Sequence, residues 1–393
     1  MFTAILNPQV QAFIDAHIGD DVAALALRKN PFENINWSSL LNQIAAKAKA
    51  KDKLPTWFGT TDIIYPPKIS VEQTSSEKTA AYKASLISGK NLIDLTGGFG
   101  VDDFFFAKRF ETVVHCELNA ELSGIVKHNF EVLQADNIDC QCSDSAKILE
   151  ETNQKFDWIY LDPSRRNENK GKVFMLRDCL PSVPDLLDFY LKYASNILIK
   201  TAPVLDLAAG LSELSQVKII HIVAIENEVK ELLWEIEKGF VGDIEIRTVN
   251  LLKDNAEHFN FKWIDQAAVS PIGFPAKYLF EANATIMKSG GFNAVALRYG
   301  LDKLHANSHL YTSDSVVDFP GRIFEITASI PYRKKEMREW LENKKANVAT
   351  RNFPDSVETI RKKWKIKDGG EQYCFFTTVP NEDKIVLICT KIK

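Results

Sequence analysis

The 393-residue chain has no run of roughly 20 apolar residues, the length a membrane-spanning helix requires. Its first residues, Met1-Phe2-Thr3-Ala4-Ile5-Leu6-Asn7-Pro8, lack the basic segment of a signal peptide. Both absences lead to the expectation of a cytoplasmic protein. Cysteine is scarce: Cys116, Cys140, Cys142, Cys179, Cys374 and Cys389 form no C-x-x-C pair, and the seven histidines form no H-E-x-x-H. Cys140-Gln141-Cys142 puts two thiols on one strand face without a second ligand pair, so no metal is expected. The cysteines read as small apolar residues in a reducing compartment. Neither charge sign dominates, the net charge being −4, and 45% apolar with 25% charged residues is the composition of an ordinary globular protein. The length implies two or three domains.

The informative stretch is Asn91-Leu92-Ile93-Asp94-Leu95-Thr96-Gly97-Gly98-Phe99-Gly100-Val101-Asp102. A short apolar run ends in a carboxylate and opens at once into glycines, which let a backbone approach a nucleotide at the carboxyl end of a buried strand. A dinucleotide fingerprint needs G-x-G-x-x-G, whereas Gly98-Phe99-Gly100 is followed by Val101, Asp102 and Asp103, which disfavours a nicotinamide-dependent oxidoreductase. Three further runs end in acids. Thr112-Val113-Val114-His115-Cys116-Glu117 places Glu117 23 residues beyond Asp94, one strand-helix-strand unit away. Ile138-Asp139-Cys140-Gln141-Cys142 leads into Ser143-Asp144-Ser145, and Phe156-Asp157-Trp158-Ile159-Tyr160-Leu161 leads into Asp162-Pro163-Ser164-Arg165-Arg166. Taken singly, Glu117, Asp144 or Asp162 reads as a helix cap or turn former. Four strand-end carboxylates in register read as a ligand cleft.

An acid, two residues and then G-G-x-G resembles motif I of the class I S-adenosylmethionine-dependent methyltransferases, with Thr96 where many members have their first glycine. That resemblance implies a cofactor site of Asp94, Thr96, Gly97, Gly98, Gly100, Glu117, Asp144, Ser145 and Asp162. The loop would lie against the methionine part, Glu117 would accept both ribose hydroxyls, and Asp144 would bond the adenine amino group.

Upstream, apolar residues recur at helical spacing (Val10, Phe13, Ile14, His17; Val22, Leu25, Leu27; Leu40, Leu41, Ile44, Ala45), predicting a small helical domain. Trp57, Tyr65 and Pro66-Pro67 read as an extended linker, and residues 70–80 as a loop capping a helix that runs into Asn91. Ser75 or Ser76 either caps that helix or reaches the cofactor's carboxylate. From Asn91 to about Asn250 strand and helix patterns alternate, predicting a mostly parallel sheet with helices on both faces. Residues 196–200 and 217–225 are its fifth and sixth strands, and residues 231–236 suit the antiparallel final hairpin of a methyltransferase.

Residues 331–393 carry 15 Lys and Arg against 9 Asp and Glu, or +6 against −10 for the rest. A basic domain on an acidic protein suits a polyanion such as RNA, with Arg361, Lys362 and Lys363 as candidate substrate-binding residues. The competing reading is a solvated helix face, because Glu336, Glu339 and Glu342 alternate with the bases at helix-pair spacing.

Residues 72–77, 94–102, Asp162-Pro163-Ser164-Arg165-Arg166, Gly321-Arg322-Ile323-Phe324-Glu325, Arg351-Asn352-Phe353-Pro354 and Asp368-Gly369-Gly370 together resemble the THUMP-like-domain class I methyltransferases of bacteria. The resemblance implies an α/β fold: a helical N-terminal domain and linker (1–88), a Rossmann-like methyltransferase domain (89–272), a ferredoxin-like segment (273–320) and a THUMP-like α+β domain (321–393). It also implies methylation of RNA, tRNA or rRNA, by in-line transfer. Amino-methylating relatives carry Asp or Asn, Pro, Pro, aromatic after strand four, so Asp162, Pro163, Ser164 and Arg165 are the candidate catalytic loop. Loss of the second proline and the aromatic puts exocyclic-amine methylation in doubt, although an arginine plane stacks on a base. Arg165 then takes the base and Arg166 a phosphate, or both pair beneath the loop. Lys200 faces the same cleft, and Lys170, Lys172 and Arg177 lie on a loop long enough to gate it. Cys179 lacks the Pro-Cys context of a base-methylating nucleophile. A non-catalytic RNA binder that keeps the fold, or a methyltransferase of a protein or small molecule, stands as the alternative.

Overall fold

In the computed structural model residues 4–152, 154–165 and 175–393 are described, Arg165 by its backbone. The chain divides into two units, Met1–Val217 with Trp234–Phe240, and Lys218–Leu233 with Val241–Lys393.

The first unit begins with α1 (Pro8–Ala16), α2 (Val22–Ala26), α3 (Trp37–Lys53), α4 (Pro55–Gly59), α5 (Lys68–Gln73) and α6 (Glu77–Leu86). Local chemistry starts them. Asn7, Asp21, Asn36 and Ser76 each accept a first-turn amide, and prolines sit in the first turns of α1 and α4. The helical spacing of Val10, Ile14, Leu40, Leu41 and Ile44 buries one small core. There follow β1 (Gly89–Asp94), α7 (Val101–Phe106), β2 (Phe110–Cys116), α8 (Ala120–Val132), β3 (Ile138–Gln141), α9 (Ser145–Glu151) and β4 (Phe156–Leu161). A small ribbon of β5 (Ser164–Arg165) and β6 (Cys179–Leu180) precedes α10 (Val183–Tyr190), β7 (Ala194–Thr201) and α11 (Leu207–Glu213). Strands β7-β4-β1-β2-β3 lie side by side, all parallel. Parallel strands buried on both faces need near-continuous apolar sequence, and Leu92-Ile93, Ile159-Tyr160-Leu161 and Ile197-Leu198-Ile199 supply it.

Two details of the approach to β1 differ from the sequence reading. Trp57 is not in a linker: it sits in α4, fully buried, and packs edge-on against Phe104 with Phe99 nearby. Residues 68–73 are helical, and α6 ends at Leu86 before β1 starts at Gly89. Tertiary burial of Trp57 and Val71 in the core shared with α7 and α8 overrides the local loop signals there.

The second unit takes most of β8 (Val217–Ile225), which turns into β9 (Glu228–Glu237) through Glu226 and Asn227, both with positive φ as a two-residue hairpin turn demands. Two further strands were not anticipated, β10 (Glu245–Leu251), parallel to β8, and β11 (Ala256–Lys262), antiparallel to β10. The alternating His258, Phe259, Asn260, Phe261 pattern is their legible signal. Then come β12 (Tyr278–Ala282), α12 (Ala284–Ser289), α13 (Phe292–Tyr299), β13 (Asp302–Lys303), β14 (Leu310–Ser313), β15 (Gly321–Pro331), α14 (Lys334–Trp340), β16 (Asn347–Arg351), α15 (Val357–Trp364), β17 (Gln372–Thr378) and β18 (Lys384–Lys391). One sheet, ordered β13-β14-β12-β15-β18-β17-β16, joins residues on both sides of position 320 over a common core of Leu279, Leu310, Phe324, Phe375 and Leu387.

Candidate functional site

Strand register builds the site in the first unit. Asp94 at the end of β1 pairs with His115 of β2 on one side and Tyr160 of β4 on the other. Rung partners in a parallel sheet share a face, so these three polar side chains form one row. The acidic pair Asp102-Asp103, delivered by α7 just after the glycine turn, meets that row. Tyr160 Oη donates to Asp102 Oδ2 at 2.8 Å, and His115 Nδ1 lies 2.6 Å from Asp103 Oδ2.

The two carboxylates of α7 are compensated differently. Around Asp102, Ser75 Oγ donates to Oδ2 at 2.8 Å, and the fully buried Lys83 ammonium lies 3.2 Å from Oδ1 and 3.1 Å from Ser75 Oγ. Desolvation pushes the Asp102 carboxyl up, but Lys83, Lys200 and the hydrogen bonds from Tyr160 and Ser75 outweigh it and hold it below its ordinary value. Asp94 and Asp103 have no such cation. Burial first, then each acid's negative neighbours, raise both carboxyls well above the ordinary range. Burial lowers the His115 imidazole, so it is neutral at pH 7.

The glycine turn rests on this row. Gly97 N donates to Cys116 O at 2.9 Å, and a Cβ on Gly97 would overlap the His115 ring. Gly98 and Gly100 take φ of 56° and 74°, a region that favours glycine. A Cβ at Gly98 would meet only Thr96 O, at 3.7 Å, so the outer side of the loop is open. Thr96 ties the strand ends together: its N and Oγ1 donate to Asp94 Oδ1 at 2.7 and 3.0 Å, and its Oγ1 accepts from Asp162 N at 2.6 Å.

Of the residues singled out from sequence, Asp94, Thr96, Asp162 and Lys200 are thus brought into one hydrogen-bonded set, the last because Lys200 Nζ pairs with the Asp162 carboxylate, while Gly97 is bonded separately to Cys116 O. Glu117 accepts from Asn119 N at 2.7 Å, and Asp144 caps α9 through the amides of Ala146 and Lys147, with Ser145 as the first helical residue. Ser164 is exposed and pairs with Leu180 in the β5–β6 ribbon. Arg166, Lys170 and Lys172 lie outside the described residues, as does the side chain of Arg165. Arg177 is bound to Glu213 at 2.6 Å. Ser76 takes the capping role considered for it at α6, whereas Ser75 donates to the protein's own Asp102. Lys83, Asp103, His115 and Tyr160 escaped sequence reasoning. Only a polar residue interrupting an apolar strand at the level of Asp94 could have flagged His115 and Tyr160.

In the second unit Arg361 pairs with Asp368, and Lys363 lies 3.1 Å from Tyr332 Oη and 3.8 Å from Asp355. Arg338 and Glu342 stand 3.7 Å apart at helix-pair spacing, so part of the basic excess is neutralised locally. Among the described residues no group of three or more His, Cys, Asp or Glu could hold a metal, and no helix is long and apolar enough to cross a membrane.

The parallel strands, the glycine turn and the strand-end acids define an α/β fold of the class I methyltransferase kind. Residues 321–391 match the THUMP domain-like family and residues 278–320 a ferredoxin-like domain family. A crystal structure from Porphyromonas gingivalis W83, of a protein designated a methyltransferase, superposes with a TM-score of 0.88 at 30% identity, covering 100% of this chain and 99% of that one. The chain therefore belongs to the bacterial family of class I methyltransferases with a C-terminal THUMP-like domain. An rRNA methylase from Streptococcus thermophilus is 13% identical, covering 42% of this chain and 98% of that one, with a TM-score of 0.30. TrmK of M. capricolum, solved with S-adenosylhomocysteine, is 15% identical, covering 42% of this chain and 70% of that one, with a TM-score of 0.31. No curated protein matches the chain significantly.

Proposed function

We propose that this protein transfers a methyl group from S-adenosylmethionine to RNA. The observation that carries the reading is the Thr96 link, which draws the ends of β1 and β4 together beside a glycine turn where, among the described residues, no side chain lies within 4 Å of a Cβ at Gly98. Bound there, the cofactor supplies a sulfonium-activated methyl, and positioning of the acceptor accounts for most of the rate. Asp94, Thr96, Gly97, Gly98 and Gly100 would cradle the methionine end, Glu117 the ribose, and Asp144 with Ser145 the adenine. Asp162, Pro163 and Ser164 would present the acceptor. Lys200 holds the Asp162 carboxylate, so acceptor binding at Asp162 requires that carboxylate to be shared or released. The basic residues Arg361, Lys362 and Lys363 support RNA as the acceptor, and cytoplasmic localisation goes with that reading.

Calorimetry with S-adenosylhomocysteine should give affinity in the roughly micromolar range, and Gly98→Val should weaken it at least about tenfold by filling the open side of the turn. Full retention of affinity would overturn cofactor binding at this loop. Transfer of labelled methyl to fractionated RNA and protein pools then tests the acceptor: label in protein would overturn RNA, and no label in any pool would leave a binder without catalysis.

A further inference from the structure

Two of the sequence motifs, Gly321-Arg322 and Arg351-Asn352-Phe353-Pro354, are untouched by the cofactor reading, and in the second unit they converge on one carboxylate. Register sets Arg322 of β15 opposite Glu281 of β12 and Gly321 opposite Ala282. Gly321 has φ of 153°, and a Cβ there would strike the Glu281 carbonyl and come within 2.9 Å of Asn283 N. Glycine is what lets the strand pass. Arg322 Nε then donates to Glu281 Oε2 at 2.7 Å, and its Nη2 reaches the same oxygen. From the end of β16, Arg351 Nη2 donates to Glu281 Oε1 at 2.6 Å and Nη1 to Thr350 O at 2.9 Å. In the second motif Asn352 takes the left-handed conformation with φ of 51°, and Phe353 packs edge-on with Tyr332. Those residues serve the fold; the arginine is left over.

The charge count is unequal. Glu281 is 5% exposed while Arg322 and Arg351 are 42% and 36% exposed, so two guanidiniums share one buried carboxylate and each keeps an open edge. Arg351 Nε is buried without an acceptor among the described residues. All three side chains line a cavity of about 550 Å³. Of the other charged side chains in its wall, Lys393 and Glu257 pair at 3.5 Å, which leaves Glu226 and Glu281 against Arg322, Arg351 and Lys391. The side chains of the wall thus carry an excess of one positive charge, on residues partly open to solvent and so accessible to an anion. The amides of Asn250 and Asn283 complete the wall, both donating to Glu257 Oε2, at 3.1 and 3.0 Å.

We propose that this cavity is a binding site for a phosphate ester, whose oxygens bridge the open edges of Arg322 and Arg351 while Glu281 holds the two guanidiniums apart. Guanidinium pairs match phosphate geometry with directed, charge-assisted bonds. The cavity has room beyond the phosphate for the group it esterifies. The site is independent of the cofactor loop and does not rest on it.

The test uses the full-length protein, titrated calorimetrically with inorganic phosphate, with 5′-AMP and with a short 5′-phosphorylated oligoribonucleotide, against potassium chloride at matched ionic strength. Saturable binding of at least one is expected. Tighter binding of 5′-AMP than of phosphate identifies a free nucleotide, and binding confined to the oligoribonucleotide identifies an RNA end. Arg322→Gln and Arg351→Gln should each weaken binding about tenfold or more, with circular dichroism verifying the fold. Should either arginine variant fail to fold, Arg322→Lys and Arg351→Lys keep the positive charge, lose the forked donors and should weaken binding about threefold or more. No saturable binding of any of the three by the wild type, or folded arginine variants that bind unchanged, would overturn the site.

Discussion

Asp102 in the first unit and Glu281 in the second are both carboxylates largely removed from water, and they are compensated in opposite ways. Asp102 has one fully buried ammonium, Lys83, and two hydroxyls. Its neighbours Asp94 and Asp103 lack such a cation, and burial raises their carboxyls well above the ordinary range, which favours the uncharged form. Glu281 has two arginines whose outer edges stay open. The first arrangement consumes its charge internally and leaves a floor on which a turn of bare backbone can lie. The second leaves positive charge to spare. Compensation therefore sorts the regions: a proton-balanced floor suits a ligand held by backbone, and an over-compensated acid suits an anion.

The comparison breaks most visibly at Lys83. Lys83→Met removes the nearest cation from a buried carboxylate, and loss of one partner of a buried ion pair costs on the order of 3–5 kcal/mol. Urea denaturation should show a loss of that size, whereas Arg351→Gln should cost clearly less because Arg322 still faces Glu281. Equal losses would show that the number of cations around each acid is immaterial.

A glycine in each unit sharpens the contrast. An added methyl at Gly97 would meet the His115 ring, and one at Gly321 would meet backbone. Gly97→Ala and Gly321→Ala should each destabilise by about 1–3 kcal/mol. Only Gly97→Ala should also weaken S-adenosylhomocysteine, because its clash tilts the turn. Equal affinity in both variants would detach the turn from its floor.

Much of the first unit was legible because its signals are local and periodic: apolar strands ending in acids, a glycine turn, and helix starts marked by Asn, Asp and Ser. Asp94, Thr96 and Asp162 were found for that reason, and their convergence follows from parallel strands ending at one level. Lys83 and Ser75 were not assigned their part, since a buried lysine looks like a surface lysine until tertiary packing encloses it. The acidic pair after the turn served only to argue against a dinucleotide fingerprint, and only the packing of α7 shows Asp103 reaching His115. In the second unit the motifs around Arg322 and Arg351 were visible, but their meeting at Glu281 depends on pairing between strands far apart in sequence. The strands β10 and β11 were missed although the alternation at residues 258–261 marks one of them locally.

The smallest effect concerns the raised carboxyls of Asp94 and Asp103. Their carboxyls are raised chiefly by burial, so above the ordinary carboxylate range the folded protein holds protons that the unfolded chain has released. Where the folded state binds more protons, stability falls as pH rises. The contribution is complete below the unfolded value and is lost as pH passes through the raised one. Asp102, held low, works in the opposite window: its contribution is present above the unfolded value and fades as pH falls through the lowered one. Asp103→Asn keeps an oxygen for His115 Nδ1 and removes the acid that forces the proton onto Asp94. The decline in urea midpoint above the ordinary carboxylate range should therefore flatten in Asp103→Asn, while the acid side, governed by Asp102, stays as in the wild type. An unchanged decline would mean that Asp94 ionises freely beside Asp103, and the floor of the glycine turn would then be charged like the Glu281 site.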